Sequence, residues 1–102
     1  MGANTREEIM EQQLSRALRE IEEQLPYMAT VFRNPLFDLK NTVENDLDFL
    51  LGAFLASVLE RYTTYCLSRQ IKPTDLESAK VNYTLFSKAK QFKERIRKEL
   101  GV

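Results

Sequence analysis

Apolar residues in the first quarter of the chain recur in steps of three and four. Met10, Leu14, Ala17, Leu18, Ile21 and Leu25 fall on one side of a helical wheel, while Glu8, Glu11, Arg16, Arg19, Glu20 and Glu23 fall on the other. The pattern predicts an amphipathic helix from about Thr5 to Leu25 with a solvated far face. Thr5 and Glu8 have the capping-box spacing that satisfies free amides at a helix start. Pro26 has no amide hydrogen, so it ends this helix or opens a new one. The connector that follows, PYMATVFRNPLFDLK, contains Met28, Val31, Phe32, Leu36, Phe37 and Leu39. It is too apolar for a solvated linker and reads as a short helix and a turn at Asn34-Pro35, both packed on the core.

The next stretch, LDFLLGAFLASVLERYTTYCL, changes the pattern. Asn41 with Glu44 and Asn45 with Asp48 offer caps for a long helix that runs to about Ser68. Leu47, Leu50, Leu51, Phe54, Leu55, Val58, Leu59, Tyr62 and Tyr65 fill one broad face, wider than the stripe of an ordinary surface helix. The opposite side is not charged. It carries Phe49, Gly52, Ala53, Ala56, Thr63 and Leu67, with Glu60 as the main exception. Gly52 inside a helix costs about 1 kcal/mol relative to alanine, which points to close approach of another backbone.

The longest uncharged run, Phe49 to Leu59, spans roughly 16 Å against the roughly 30 Å of a bilayer core, so it does not cross a membrane. The segment SRQIKPT breaks the long helix. Thr74 and Glu77 repeat the capping spacing, and a last helix is predicted from about Asp75 to Leu100, with Gly101 as its stop. In that helix Leu76, Ala79, Tyr83 and Phe86 make one apolar stripe and Leu85, Ala89, Phe92 and Ile96 another. Both are expected to be core. The predicted fold is all-α, a small bundle of three main helices plus a short connector helix, over a single domain of residues 1–102. Dimerisation is expected to complete the bundle, because the other helices present only single stripes to a central helix that is apolar on two sides.

Charge sharpens this picture. The molecule has no net charge, but residues 1–51 carry ten acids against five bases and residues 52–102 the reverse, so the halves stand at about −5 and +5. A single cysteine, Cys66, excludes an intrachain disulfide and suggests a cytoplasmic protein. The opening MGANTREEIMEQQ turns acidic too early for a secretory signal, and Arg6 stands where a myristoylation motif needs Ser or Thr.

Chemistry is constrained by what the chain lacks. It has no histidine, one cysteine and only three glycines, Gly2, Gly52 and Gly101. Histidine-based nucleophile pairs, cysteine or histidine metal sites and phosphate-cradling glycine loops are thereby closed. Carboxylates remain: Glu20 and Glu23 on the first helix, and Glu44, Asp46 and Asp48 at the start of the long one. They fit a solvated face and a helix N-terminus better than a Mg²⁺ site. No catalytic residue, cofactor or metal is therefore expected, and a carboxylate-dependent nucleotide hydrolase is the third-ranked reading. Tyr62, Tyr65 and Cys66 are expected to pack.

The first-ranked reading is a non-enzymatic interaction or assembly module, with no membrane partner. It self-associates as a homodimer through the long helix, using Phe49, Gly52, Ala53, Ala56 and Thr63, and a further protein partner is compatible with it. The alternative is a dimeric nucleic-acid-binding protein using the basic last helix. Lys80, Lys88, Lys90, Lys93, Arg95, Arg97 and Lys98 would contact phosphates there. Basic side chains facing an acidic first helix explain the same residues without any ligand.

Overall fold

The computed structural model describes residues 5–34 and 44–101. Those residues are all-helical: α1 spans Arg6–Arg33, α2 Asp46–Ser68, α3 Asp75–Ser87 and α4 Ala89–Leu100. The caps read from the sequence form. The Glu8 amide donates to the Thr5 hydroxyl oxygen at 3.2 Å, and the Asp48 amide to Asn45 Oδ1 at 2.9 Å. Thr74 and Glu77 make a reciprocal capping box, with 2.9 Å from the Thr74 amide to Glu77 Oε1 and 3.1 Å from the Glu77 amide to Thr74 Oγ1. Gly101 closes α4 in the left-handed region at φ 74°, its amide bonded to the Arg97 and Lys98 carbonyls. The Asn41 cap and the apolar residues Leu36, Phe37 and Leu39 lie outside the described residues.

Pro26 does not end the first helix. α1 runs through it for 28 residues, and the segment expected to form a separate short helix supplies its last two turns. The reason is packing. Leu25, Ala29 and Phe32 continue the buried line of Met10, Ala17 and Ile21, each at most 6% exposed, whereas Pro26 itself lies on the outer side. Burial of that stripe outweighs one missing backbone hydrogen bond and the ring's steric conflict with the preceding turn.

α2 lies antiparallel to α1. The Phe32 and Phe49 rings meet at one end with centroids 5.6 Å apart, and Arg61 and Tyr65 reach Glu20 further along. The turn after α2 is a Schellman closure built without glycine: Ile71 N–H bonds to Cys66 O at 2.9 Å, Gln70 N–H to Leu67 O, and Gln70 takes φ 60°. Ile71 then tucks into the core. From there α3 and α4 return beside α1. Arg6 meets Glu77 at the start of that leg, Arg95 lies 3.8 Å from Glu22, and Arg33 reaches the Leu100 carbonyl at its end.

The last helix is broken, contrary to the uninterrupted span expected. At Lys88 φ is −101° and ψ 7°. Neither proline nor glycine causes this. Two hydroxyls turn back onto the backbone, Thr84 Oγ1 to the Lys80 carbonyl at 3.0 Å and Ser87 Oγ to the Thr84 carbonyl at 2.7 Å, a pairing that bends helices. The bend changes which side chains reach the core. Leu85, Phe92 and Ile96 are buried as expected, with Phe92 stacked obliquely on Phe54 at 4.8 Å. Leu76, Tyr83 and Phe86 are not core. They are 67%, 78% and 64% exposed, because Leu85 occupies the inward side of α3 and this stripe points away from it.

Candidate functional site

Two outward faces and one polar cluster stand out from this packing. On α2, Leu50, Phe54, Leu55, Val58, Tyr62 and Cys66 are buried. The residues on the reverse side are Phe49, Gly52, Ala56, Glu60, Thr63 and Leu67, all exposed, with Ala53 half-buried among them. A β-carbon built on Gly52 would meet no atom within 4 Å. The close backbone approach expected at Gly52 is therefore not made by the described residues of the same chain. The face read from the sequence as small and apolar is present, and its residues are exposed apart from the half-buried Ala53.

The acidic residue expected on a solvated surface, Glu20, is instead half-buried between α1 and α2. It bonds to Arg16 at 3.0 Å, to Arg61 at 3.0 Å and to the Tyr65 hydroxyl, while the Arg16 guanidinium lies 3.9 Å from the centre of the Tyr65 ring. The Tyr65 hydrogen bond, joined by the two arginines, holds the Glu20 carboxyl below the usual carboxylate range, and the same bond raises Tyr65. Two cations and a phenol take up its oxygens, so Glu20 works as a clip between the helices. Among the described residues no three Asp, Glu or Cys side chains converge as a metal-sized cluster. Cys66 is fully buried and burial pushes its thiol up, which makes it a packing residue.

The basic set divides in two. Lys93 Nζ is 3.0 Å from Asp48 and Arg95 is 3.8 Å from Glu22, so these two tie α4 to the acidic half of the chain. Arg97 lies 3.4 Å from Glu94. Lys80, Lys88, Lys90 and Lys98 are exposed and make no ion pair among the described residues. The sequence reading placed all seven on one solvated arc. The partners of two of them, Asp48 and Glu22, lie far away in the chain, whereas Glu94 is three residues before Arg97 on the same helix.

α3 is held lightly. Arg6 donates to Glu77 Oε1 at 2.9 Å, to Glu77 Oε2 at 3.1 Å and to the Lys72 carbonyl at 2.9 Å, pinning its start. Further on, a groove of about 530 Å³ separates it from α1, with Met10, Leu14, Tyr62 and Val81 in its lining. Burial pushes the Tyr62 hydroxyl well above the usual phenol range. Arg6, followed by the Thr74 amide, holds the Glu77 carboxyl down at about 2 against an ordinary 4.5.

A folded value below the unfolded one means the contribution is complete at neutral pH and is lost as pH falls from about 5 toward 2. Melting temperature should therefore drop through that window. Glu77→Gln should flatten the drop and leave the remaining slope to groups such as Glu20, whose shift has the same sign. Circular dichroism melts between pH 2 and 7 provide the comparison, and equal slopes in the two proteins would refute the role of the Arg6 contact.

No match is found among protein families, curated proteins or solved structures. No helix among the described residues is long and apolar enough to cross a membrane.

Proposed function

We propose that the protein is a non-enzymatic interaction and assembly module that self-associates through the outward face of α2. The observation that carries this reading is the uncovered line of Phe49, Gly52, Ala56, Thr63 and Leu67 on a helix whose other side is the centre of the core. An exposed apolar patch on a small helical protein marks a contact surface, and a twofold pair is the commonest way to cover one.

The pattern suits a second copy. In an antiparallel pairing centred on Ala56, Phe49 of one chain lies opposite Thr63 of the other, and the open backbone at Gly52 lies opposite Glu60. The two Glu60 side chains then project from positions about 12 Å apart along the helices, which limits their repulsion. Ring meets small side chain, and backbone meets the aliphatic stem of the glutamate. Both are close-approach contacts that a leucine at the centre would obstruct.

Ala56→Leu should therefore weaken the pair by about 1 to 3 kcal/mol through overpacking. Ala56 is exposed within the chain, so the melting temperature of the dilute protein should stay unchanged. Light scattering across a concentration series tests both points. A wild-type mass that remains that of one chain at the highest concentration sinks the reading.

A further inference from the structure

The end of the core at which α2 finishes is closed by a segment with few anchors. Ile71 and Leu85 are buried, whereas every residue from Lys72 to Thr84 is exposed or half-buried, and of these only Val81 packs against the central cluster. The groove between α1 and α3 runs behind this segment, with Met10, Leu14 and Tyr62 in its lining. Cys66 lies one turn beyond Tyr62 on the same buried face of α2, and the charges of Arg6 and Glu77 act on both groups. The segment is thus a strap across the Tyr62 and Cys66 end of the core.

Arg6 holds the strap from another helix. Its guanidinium donates three hydrogen bonds, two to the Glu77 carboxylate and one to the Lys72 carbonyl, so it grips the first turn of α3 and the residue beside Ile71 together. Ile71 is in turn bonded through its amide to the Cys66 carbonyl. Among the described residues no other hydrogen bond or ion pair joins residues 72–84 to α1 or α2. One side chain therefore carries the polar attachment of the whole strap. Its two ends are already turns, the closure at Gln70 and the break at Lys88, so the strap can pivot about Leu85 without breaking a helix.

We infer that the Arg6 and Glu77 contact is a catch, and that its release lets residues 71–84 lift and admits solvent to Tyr62 and Cys66 while the rest of the bundle stays folded. Both partners are partly exposed, so dissolved salt screens the catch and access rises with ionic strength. The device is independent of pairing through α2, whose outward face lies on the side of that helix away from Tyr62 and Cys66.

Cys66 is the single cysteine and is fully buried, which makes its reaction with N-ethylmaleimide a measure of lifting. The reagent is uncharged, so salt does not alter its approach. At low salt Arg6→Gln should react about three to ten times faster than the parent, the range expected for a two-pronged contact at a partly exposed site. Rising salt should accelerate the parent toward the variant and leave the variant unchanged. Arg6→Lys keeps the charge, loses the two-pronged grip and should fall between them. Lys80→Gln, which removes an exposed charge of α3 outside the catch, should behave as the parent. In low urea the parent rate should stay nearly flat, because lifting exposes far less surface than global unfolding.

Equal rates for the parent and Arg6→Gln at low salt overturn the inference. So does a parent rate that climbs steeply from the first addition of urea, since the thiol would then be reached only by global unfolding. Acceleration by Lys80→Gln equal to that of Arg6→Gln overturns it too, in favour of a general effect of charge on α3.

Discussion

Phe54→Ala is expected to destabilise the fold by about 3 to 5 kcal/mol, a large share of the roughly 5 to 15 kcal/mol by which a domain of this kind is stable. Phe54 has no exposed surface and belongs to the central cluster that also holds Leu25, Val58 and Leu85. Its ring stacks obliquely on Phe92, so the truncation removes an aromatic contact between α2 and α4 as well as buried area. Met10 is the only methionine among the buried residues of that cluster, and collapse into the space should be partial. Urea unfolding of both proteins gives the difference. A loss below 1 kcal/mol would mean that α4 does not pack on α2 as described.

Pro26→Ala is expected to act in the opposite direction, raising stability by about 2 kcal/mol. A proline inside a helix costs about 3 kcal/mol relative to alanine, through the absent hydrogen bond and the clash with the preceding turn. Part of that is offset, since alanine gives the unfolded chain up to about 1 kcal/mol more conformational entropy to lose. The substitution touches no core contact, Pro26 being exposed. The prediction separates one continuous α1 from two helices joined at Pro26. In the second arrangement alanine would be neutral or harmful, and thermal melts decide between them.

Pro26 also shows where the sequence was legible and where it was not. The buried stripe from Met10 to Leu25 can be read residue by residue, because its period is local, and so can the two-sided character of α2 and the caps at Thr5, Asn45 and Thr74. The continuation through Pro26 cannot. It depends on what Ala29 and Phe32 pack against, which lies on another helix. Glu20 fails for the same reason: its helical position is solvent-facing by wheel, and only the approach of Arg61 and Tyr65 from α2 converts it into a clip.

Tyr83 and Phe86 were read as core because a three-four spacing describes any apolar face, inward or outward. Which face turns inward is settled by the packing of Leu85 into the core, a contact with other helices that the period of α3 does not encode. The proposed α2 contact stands differently. Its residues are small and uncharged opposite a broad apolar face in the sequence, Gly52 and Ala56 are exposed among the described residues, and the contact itself remains a proposal for the mass measurement to decide.

The single inward residue of α3 has a kinetic consequence. Of thirteen residues only Leu85 is fully sequestered, whereas α1 sequesters seven and the shorter α4 two. Opening of α3 thus exposes little apolar area and has a low free-energy cost, while opening of α1 or α2 dismantles the whole cluster. Backbone amides of residues 75–87 should exchange with deuterium well ahead of those in α1 and α2, with the Arg6 contact retarding the first turn. Among the described helices, the one held least firmly by its own chain is then the one whose exchange a partner bound to it would slow most.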